Sequence, residues 1–105
     1  MFDTMTIVTI GEILVEFVSH RRDCALEQIS DYSGPYPSGA PAIFIDQAAR
    51  MGARSEMIGG VGADGFGRCV LKRLKEDAVG TQGIAMSEQY TTGVAFVSYL
   101  SLIHI

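Results

Sequence analysis

The sequence predicts an α/β fold built on a parallel sheet. Three observations carry that expectation. Strand-like and helix-like stretches alternate along the chain, which within one sheet implies right-handed crossovers. Ile7-Val8-Thr9-Ile10 is β-branched throughout, in the manner of a strand buried on both faces. Two glycine-rich corners, Pro37-Ser38-Gly39-Ala40-Pro41-Ala42 and Ile58-Gly59-Gly60-Val61-Gly62-Ala63-Asp64-Gly65-Phe66-Gly67, each open a helix. Exposed amides at helix N-termini attract hydroxyls and anions. Glycines that only turn the chain are the competing reading.

Residues 6–18 read as one strand, interrupted at Gly11, where glycine suggests close approach of another backbone. Ile13, Val15 and Phe17 alternate there against Glu12, Leu14 and Glu16, so two carboxylates share a face that is otherwise apolar. Solvated edge charges would give the same pattern. His20-Arg21-Arg22-Asp23 reads as a polar connection. Residues 26–32 alternate loosely as a short strand, and residues 33–39, with Gly34, Pro35, Pro37 and Gly39, read as a turn cluster.

Pro41 suits a first helical position, and Gly52 suits the C′ site just past the end of that helix, about residues 41–51. Asp46, Gln47 and Arg50 make its polar stripe, with the apolar Ile43 on the same stripe. Residues 54–61 form the next strand. Asp64 is placed to cap a second helix, whose buried stripe is Phe66, Val70, Leu74 and Ala78, with Arg68, Lys72, Arg73, Lys75 and Glu76 facing water and Gly80 ending it. Residues 83–86 and 91–100 are the remaining strands.

A chain of 105 residues that is 48% hydrophobic is one domain or part of one. Net charge is −4, which leaves no basic footprint for nucleic acid. No run is long and apolar enough for a membrane span. Met1-Phe2-Asp3-Thr4-Met5 lacks the basic start of a signal peptide, so a cytoplasmic protein is expected. Cys24 and Cys69 are read as free thiols, and with His20 and His104 they give no metal-ligand spacing.

Gly60-Val61-Gly62-Ala63-Asp64-Gly65 matches the dinucleotide fingerprint G-x-G-x-x-G. It follows a later strand rather than the first, and no acidic residue ends the next strand at the required distance. A dinucleotide-binding oxidoreductase fragment is therefore kept only as an alternative. No phosphate loop G-x-x-x-x-G-K-[ST], no G-x-S-x-G and no catalytic Cys/His spacing occurs.

Four segments in register resemble the N-terminal part of the ribokinase-like (PfkB-type) carbohydrate kinases. They are Gly11-Glu12-Ile13-Leu14-Val15-Glu16-Phe17, Ser38-Gly39-Ala40-Pro41-Ala42, the run from Gly60 to Gly67, and Thr92-Gly93-Val94-Ala95-Phe96-Val97. The resemblance implies a three-layer α/β core and a small β-sheet lid, with lid strands near residues 26–33 and 91–100. It implies ATP- and magnesium-dependent phosphorylation of a sugar hydroxyl. Glu16 falls where many members carry an Asp that binds sugar hydroxyls, and a carboxylate can accept several such bonds. Gly39 and Ala40 fall on the pocket wall, Phe96 on the lid over the sugar, and Ile43 where the family usually has Asn. The run from Gly34 to Asp46 is similar to tagatose and related ketose kinases.

The family's Gly-Ala-Gly-Asp motif, which supplies the catalytic base, does not occur, and the chain contains no Asn for its Asn-x-x-Glu motif. No catalytic or metal-binding residue is therefore expected in this chain, and the ATP site is expected in sequence beyond it. Residues 1–105 are read as an incomplete part of one kinase domain, inactive alone, with a non-native end at 101–105. A non-catalytic sugar-binding or dimerisation module is the other reading, and a homodimer through the lid strands is expected as a partner arrangement, since exposed strand edges can pair.

Overall fold

The computed structural model describes residues 5–101, and these hold six strands in two sheets and two helices. The core sheet has the order β1-β4-β5, all parallel, from β1 (Ile7–Ile10), β4 (Ser55–Gly62) and β5 (Val79–Ser87). The second sheet has the order β3-β2-β6, from β3 (Tyr32–Ser38), β2 (Leu14–Ser19) and β6 (Gly93–Val97). Strand β2 runs antiparallel to β3 and parallel to β6. Helices α1 (Ala40–Arg50) and α2 (Gly65–Glu76) complete the order.

Both helices pack on one face of the core sheet. Ala42 and Ile45 of α1 and Val70 and Leu74 of α2 meet Met57, Val61 and Val79 in one buried cluster. Burial of a side chain of this size contributes roughly 1.5–3 kcal/mol. Ile13 and Val15 join the same cluster and anchor the second sheet to the core. Among the described residues the opposite face of the core sheet is uncovered: Val8, Ile10 and Ile58 are 48%, 74% and 40% exposed. Two of the three expected layers thus lie in these residues, and the β-branched run of β1 is half-exposed rather than buried on both faces. The radius of gyration is 16.1 Å, against about 13 Å for a compact domain of this length, because the second sheet projects from the core as a lid would.

Three boundaries differ from the sequence expectation. The single strand over 6–18 is two strands in two sheets. The break at Gly11 is where the chain leaves the core: a Cβ there would lie 2.7 Å from Pro41 Cγ, and a Cβ on Gly59 would lie 2.7 Å from the Gly11 carbonyl. That close approach is the reason for both glycines. Secondly, the expected strand at 26–33 is a loop as far as residue 31, and the expected turn cluster is β3 itself. Proline cannot donate to a ladder, so Pro35 and Pro37 are accommodated at a sheet edge. The register slips between Glu16 and Val18, so that Gly34 and Pro35 both lie opposite Phe17. Lastly, α2 ends at Glu76 rather than Gly80, and Gly80 lies inside β5.

Other expectations hold. Helix α1 has Pro41 in its first turn and Gly52 beyond its end at φ 100°, the left-handed conformation that favours glycine. Cys24 and Cys69 are free, the first buried. Among the described residues no helix is long and apolar enough to cross a membrane. The expectations about the first four residues and about 102–105 lie outside the described residues.

Candidate functional site

The two glycine corners differ in what fills them. The α2 corner is closed by the chain's own side chains. Asp64 Oδ1 accepts the Gly67 amide at 2.8 Å and the Thr92 hydroxyl at 2.7 Å, and Oδ2 accepts the Thr92 amide at 2.9 Å. The Thr92 hydroxyl also accepts the Gly62 amide at 2.9 Å. The Thr92 amide first, then the Gly67 amide and the Thr92 hydroxyl, hold the Asp64 carboxyl below the usual carboxylate range. Gly67 itself has no room for a side chain: a Cβ there would lie 2.1 Å from the Gly62 carbonyl. The glycines of the apparent dinucleotide fingerprint therefore serve to bring β4, α2 and the start of β6 together. Thr92, buried at 3% exposure, has no local sequence signal, because its partner Asp64 is remote along the chain.

The α1 corner is open. Gly39 is the N-cap residue, at φ 101°, and no side chain caps the helix. A Cβ at position 39 would lie 2.6 Å from the Glu12 carbonyl, so both conformation and space require glycine. The first amides of a helix have no intrahelical acceptor, and Pro41 carries none. Ala40 and Ala42 thus present donors at this end.

Glu16 reaches the same place. It faces Tyr36 across β3 and Ala95 across β6. Its Oε1 accepts the Ser38 hydroxyl at 2.9 Å, one residue before Gly39. Through Ser38, Glu16 is held next to the turn of chain that leads into Gly39 and Ala40. A carboxylate accepts from, and open helix amides donate to, a molecule rich in hydroxyls.

The other two expected residues are not brought there. Phe96 pairs in register with Phe17, whereas Glu16 pairs with Ala95. Paired residues share a face and neighbours in a strand alternate, so Phe96 lies on the opposite face of the β3-β2-β6 sheet from Glu16. It stacks on Phe17 with ring centroids 5.4 Å apart and meets the edge of Tyr32 at 5.7 Å, while Phe17 meets Phe66 of α2. Ile43 is half-exposed and borders a cleft of about 180 Å³ between α1 and α2, with Asp46, Val70 and Arg73.

Asp46 is a second finding in that cleft. Its carboxylate lies beside Asp77, and Arg50 Nε stands 3.1 Å from Asp77 Oδ2 and 3.7 Å from Asp46 Oδ2. Oδ1 of Asp46 is buried with no donor against it. Burial first, then a shared hydrogen bond with Asp77 and its charge, push the Asp46 carboxyl up to about 6, against the opposing pull of Arg50 and Arg73. The expected solvated stripe of α1 is in part an interhelical contact.

The described residues do not fit a nucleotide or its magnesium. The α2 N-terminus, the one with the phosphate-cradle spacing, already holds a carboxylate. No three His, Cys, Asp or Glu side chains among the described residues converge as metal ligands.

A parallel sheet covered on one face by two helices, with a second sheet joined to it through Ile13 and Val15, is the α/β frame that carries these residues. The model of the pfkB family carbohydrate kinases matches residues 5–99, and the chain belongs to that family. It is 34% identical over 91 residues to sugar kinase PH1459 of Pyrococcus horikoshii, covering 87% of this chain and 29% of that one. It is 34% identical over 92 residues to Fructokinase-2 of Solanum habrochaites, covering 88% and 28%. Among solved structures, an E. coli protein assigned as a ribokinase II, in complex with ATP and Mg2+, superposes with a TM-score of 0.88 at 46% identity, covering 91% of this chain and 31% of that one. The chain thus spans just under a third of the length of the relatives it matches.

Proposed function

We propose that this chain supplies the sugar-holding part of an ATP-dependent carbohydrate kinase that transfers a phosphoryl group to a sugar hydroxyl. The observation that carries the reading is the Glu16 carboxylate standing beside the uncapped start of α1, in a member of a carbohydrate kinase family. Glu16 accepts hydrogen bonds from sugar hydroxyls, and the Ala40 and Ala42 amides donate to sugar oxygens. The lid sheet β3-β2-β6 closes over the sugar and excludes water that would compete for the phosphoryl group. Fixing the acceptor hydroxyl is a large share of catalysis in phosphoryl transfer. ATP and Mg2+, as carried by the E. coli neighbour, would supply the transferred group from a site outside these residues.

A ketose is the substrate class we favour, supported by the fructokinase relative and by the Gly34 to Asp46 run. Phe96, placed away from Glu16, shares with Val94 the face of the lid that carries Val15 and Phe17, and both are exposed beside the edge strand β6. That face suits pairing with a second copy of the lid. The enzyme is read as cytoplasmic.

The test is ADP release by a full-length kinase carrying this segment, with fructose, tagatose, ribose and sugar acids each offered in turn. The expected result is ADP release that requires a sugar and is fastest with a ketose. ATP hydrolysis indifferent to every sugar, or oxidation of a sugar with a nicotinamide cofactor, would overturn the reading.

A further inference from the structure

We propose that Ser38 is a positioning residue of the sugar site, acting through Glu16; the inference rests on the sugar-binding reading of Glu16 given above. Ser38 closes β3 opposite Leu14, and Glu16 lies opposite Tyr36. The two residues are therefore diagonal neighbours on one face of the lid sheet. Diagonal Cβ atoms in an antiparallel pair stand roughly 7–8 Å apart, too far for two short side chains to touch. The length of glutamate spans the gap: its Oε1 accepts the Ser38 hydroxyl at 2.9 Å. Ser38 is 7% exposed, so its hydroxyl has little water to turn to.

This contact has two consequences. A glutamate with three side-chain torsions is a poor anchor for a ligand unless something fixes it, and the Ser38 donor does so before the sugar arrives. It also divides the carboxylate. Oε1 is engaged by Ser38, and Oε2 is the oxygen left to accept a sugar hydroxyl. The donor sits directly before Gly39, whose φ of 101° is dictated by its close approach to Glu12. The serine and the open helix end are thus held in one rigid piece of backbone, so that the carboxylate and the amides are set relative to one another.

The experiment is steady-state kinetics on the full-length kinase. Ser38→Ala is expected to raise the KM for the sugar about tenfold, the size of one charge-assisted hydrogen bond, with kcat and the KM for ATP unchanged. Ser38→Thr keeps the hydroxyl and restores the KM. Ser38→Cys keeps the size with a weak donor and raises the KM, and it carries the test if Ser38→Ala lowers the melting temperature enough to disturb folding. In a Glu16→Ala background, Ser38→Ala should add nothing. An equal rise in KM with and without Glu16 would overturn the inference, as would kcat and both KM values moving together. If Glu16→Ala raises the sugar KM and neither Ser38→Ala nor Ser38→Cys does, the role of Ser38 falls and the sugar site stands. If Glu16→Ala leaves the sugar KM unchanged, the site reading itself falls.

Discussion

In a full-length kinase carrying this segment, Glu16→Ala is expected to raise the KM for the sugar by one to two orders of magnitude and to leave the KM for ATP alone. Glu16 is half-buried between β3 and β6, and Oε2 is not held by the Ser38 contact that fixes Oε1. Removing a charged acceptor from sugar hydroxyls costs about 1.5–3 kcal/mol. The same substitution strands the Ser38 hydroxyl at a buried position, which adds to the loss. The effect falls on the sugar because Glu16 is the carboxylate held at this corner by Ser38. Equal effects on both substrates would point to a collapsed fold rather than a lost contact, and a melting curve separates the two.

The second large effect concerns stability and pH. The Asp46 carboxyl is pushed up to about 6, first by burial and then by Asp77. Between its ordinary value of 3.8 and about 6, the folded state therefore binds more protons than the unfolded state. Stability contributed by this group is full below that window, falls as pH rises through it, and stays low above it. The loss is on the order of 2 kcal/mol after allowing for the partly exposed Arg50 nearby. Asp46→Asn removes the titration and can donate to Asp77, so the variant should melt higher than the parent at pH 8 and by a smaller margin at pH 5, where part of the loss has already set in. Asp64 does not confuse the comparison. Its carboxyl is lowered, so its contribution is lost only in more acidic solution. Parallel melting profiles of the two proteins from pH 5 to pH 8 would show that Asp46 is not strained.

What was legible in the sequence was local. The α2 cap needs only Asp64 and the amide of Gly67, three residues on, and the end of α1 needs only Gly52 in its left-handed conformation. Both sit where the residue pattern places them. That Glu16 and Gly39 belong to one site was an expectation of the family pattern alone, and the contact seen is the one from Ser38 to Glu16. What failed was non-local or context-dependent. Glycine and proline usually mark turns, but in β3 they occupy a sheet edge where a missing donor costs nothing. The face taken by Phe96 depends on the register of β6 against β2, which no property of β6 alone reveals. Thr92 matters through a partner on another element. Asp46 looked like a solvated stripe residue, because its burial is imposed by Asp77 at the end of a different helix.

The central claim is that sugar is held at the open α1 corner, on the Glu16 face of the lid. A crystal structure of the full-length kinase with its preferred sugar tests it most directly. The account predicts one sugar hydroxyl within hydrogen-bond distance of Glu16 Oε2, another sugar oxygen at the Ala40 or Ala42 amide, and Asp64 still bound to Gly67. A sugar seated against Phe96 on the other face of the lid, or at the α2 N-terminus in place of Asp64, would contradict it.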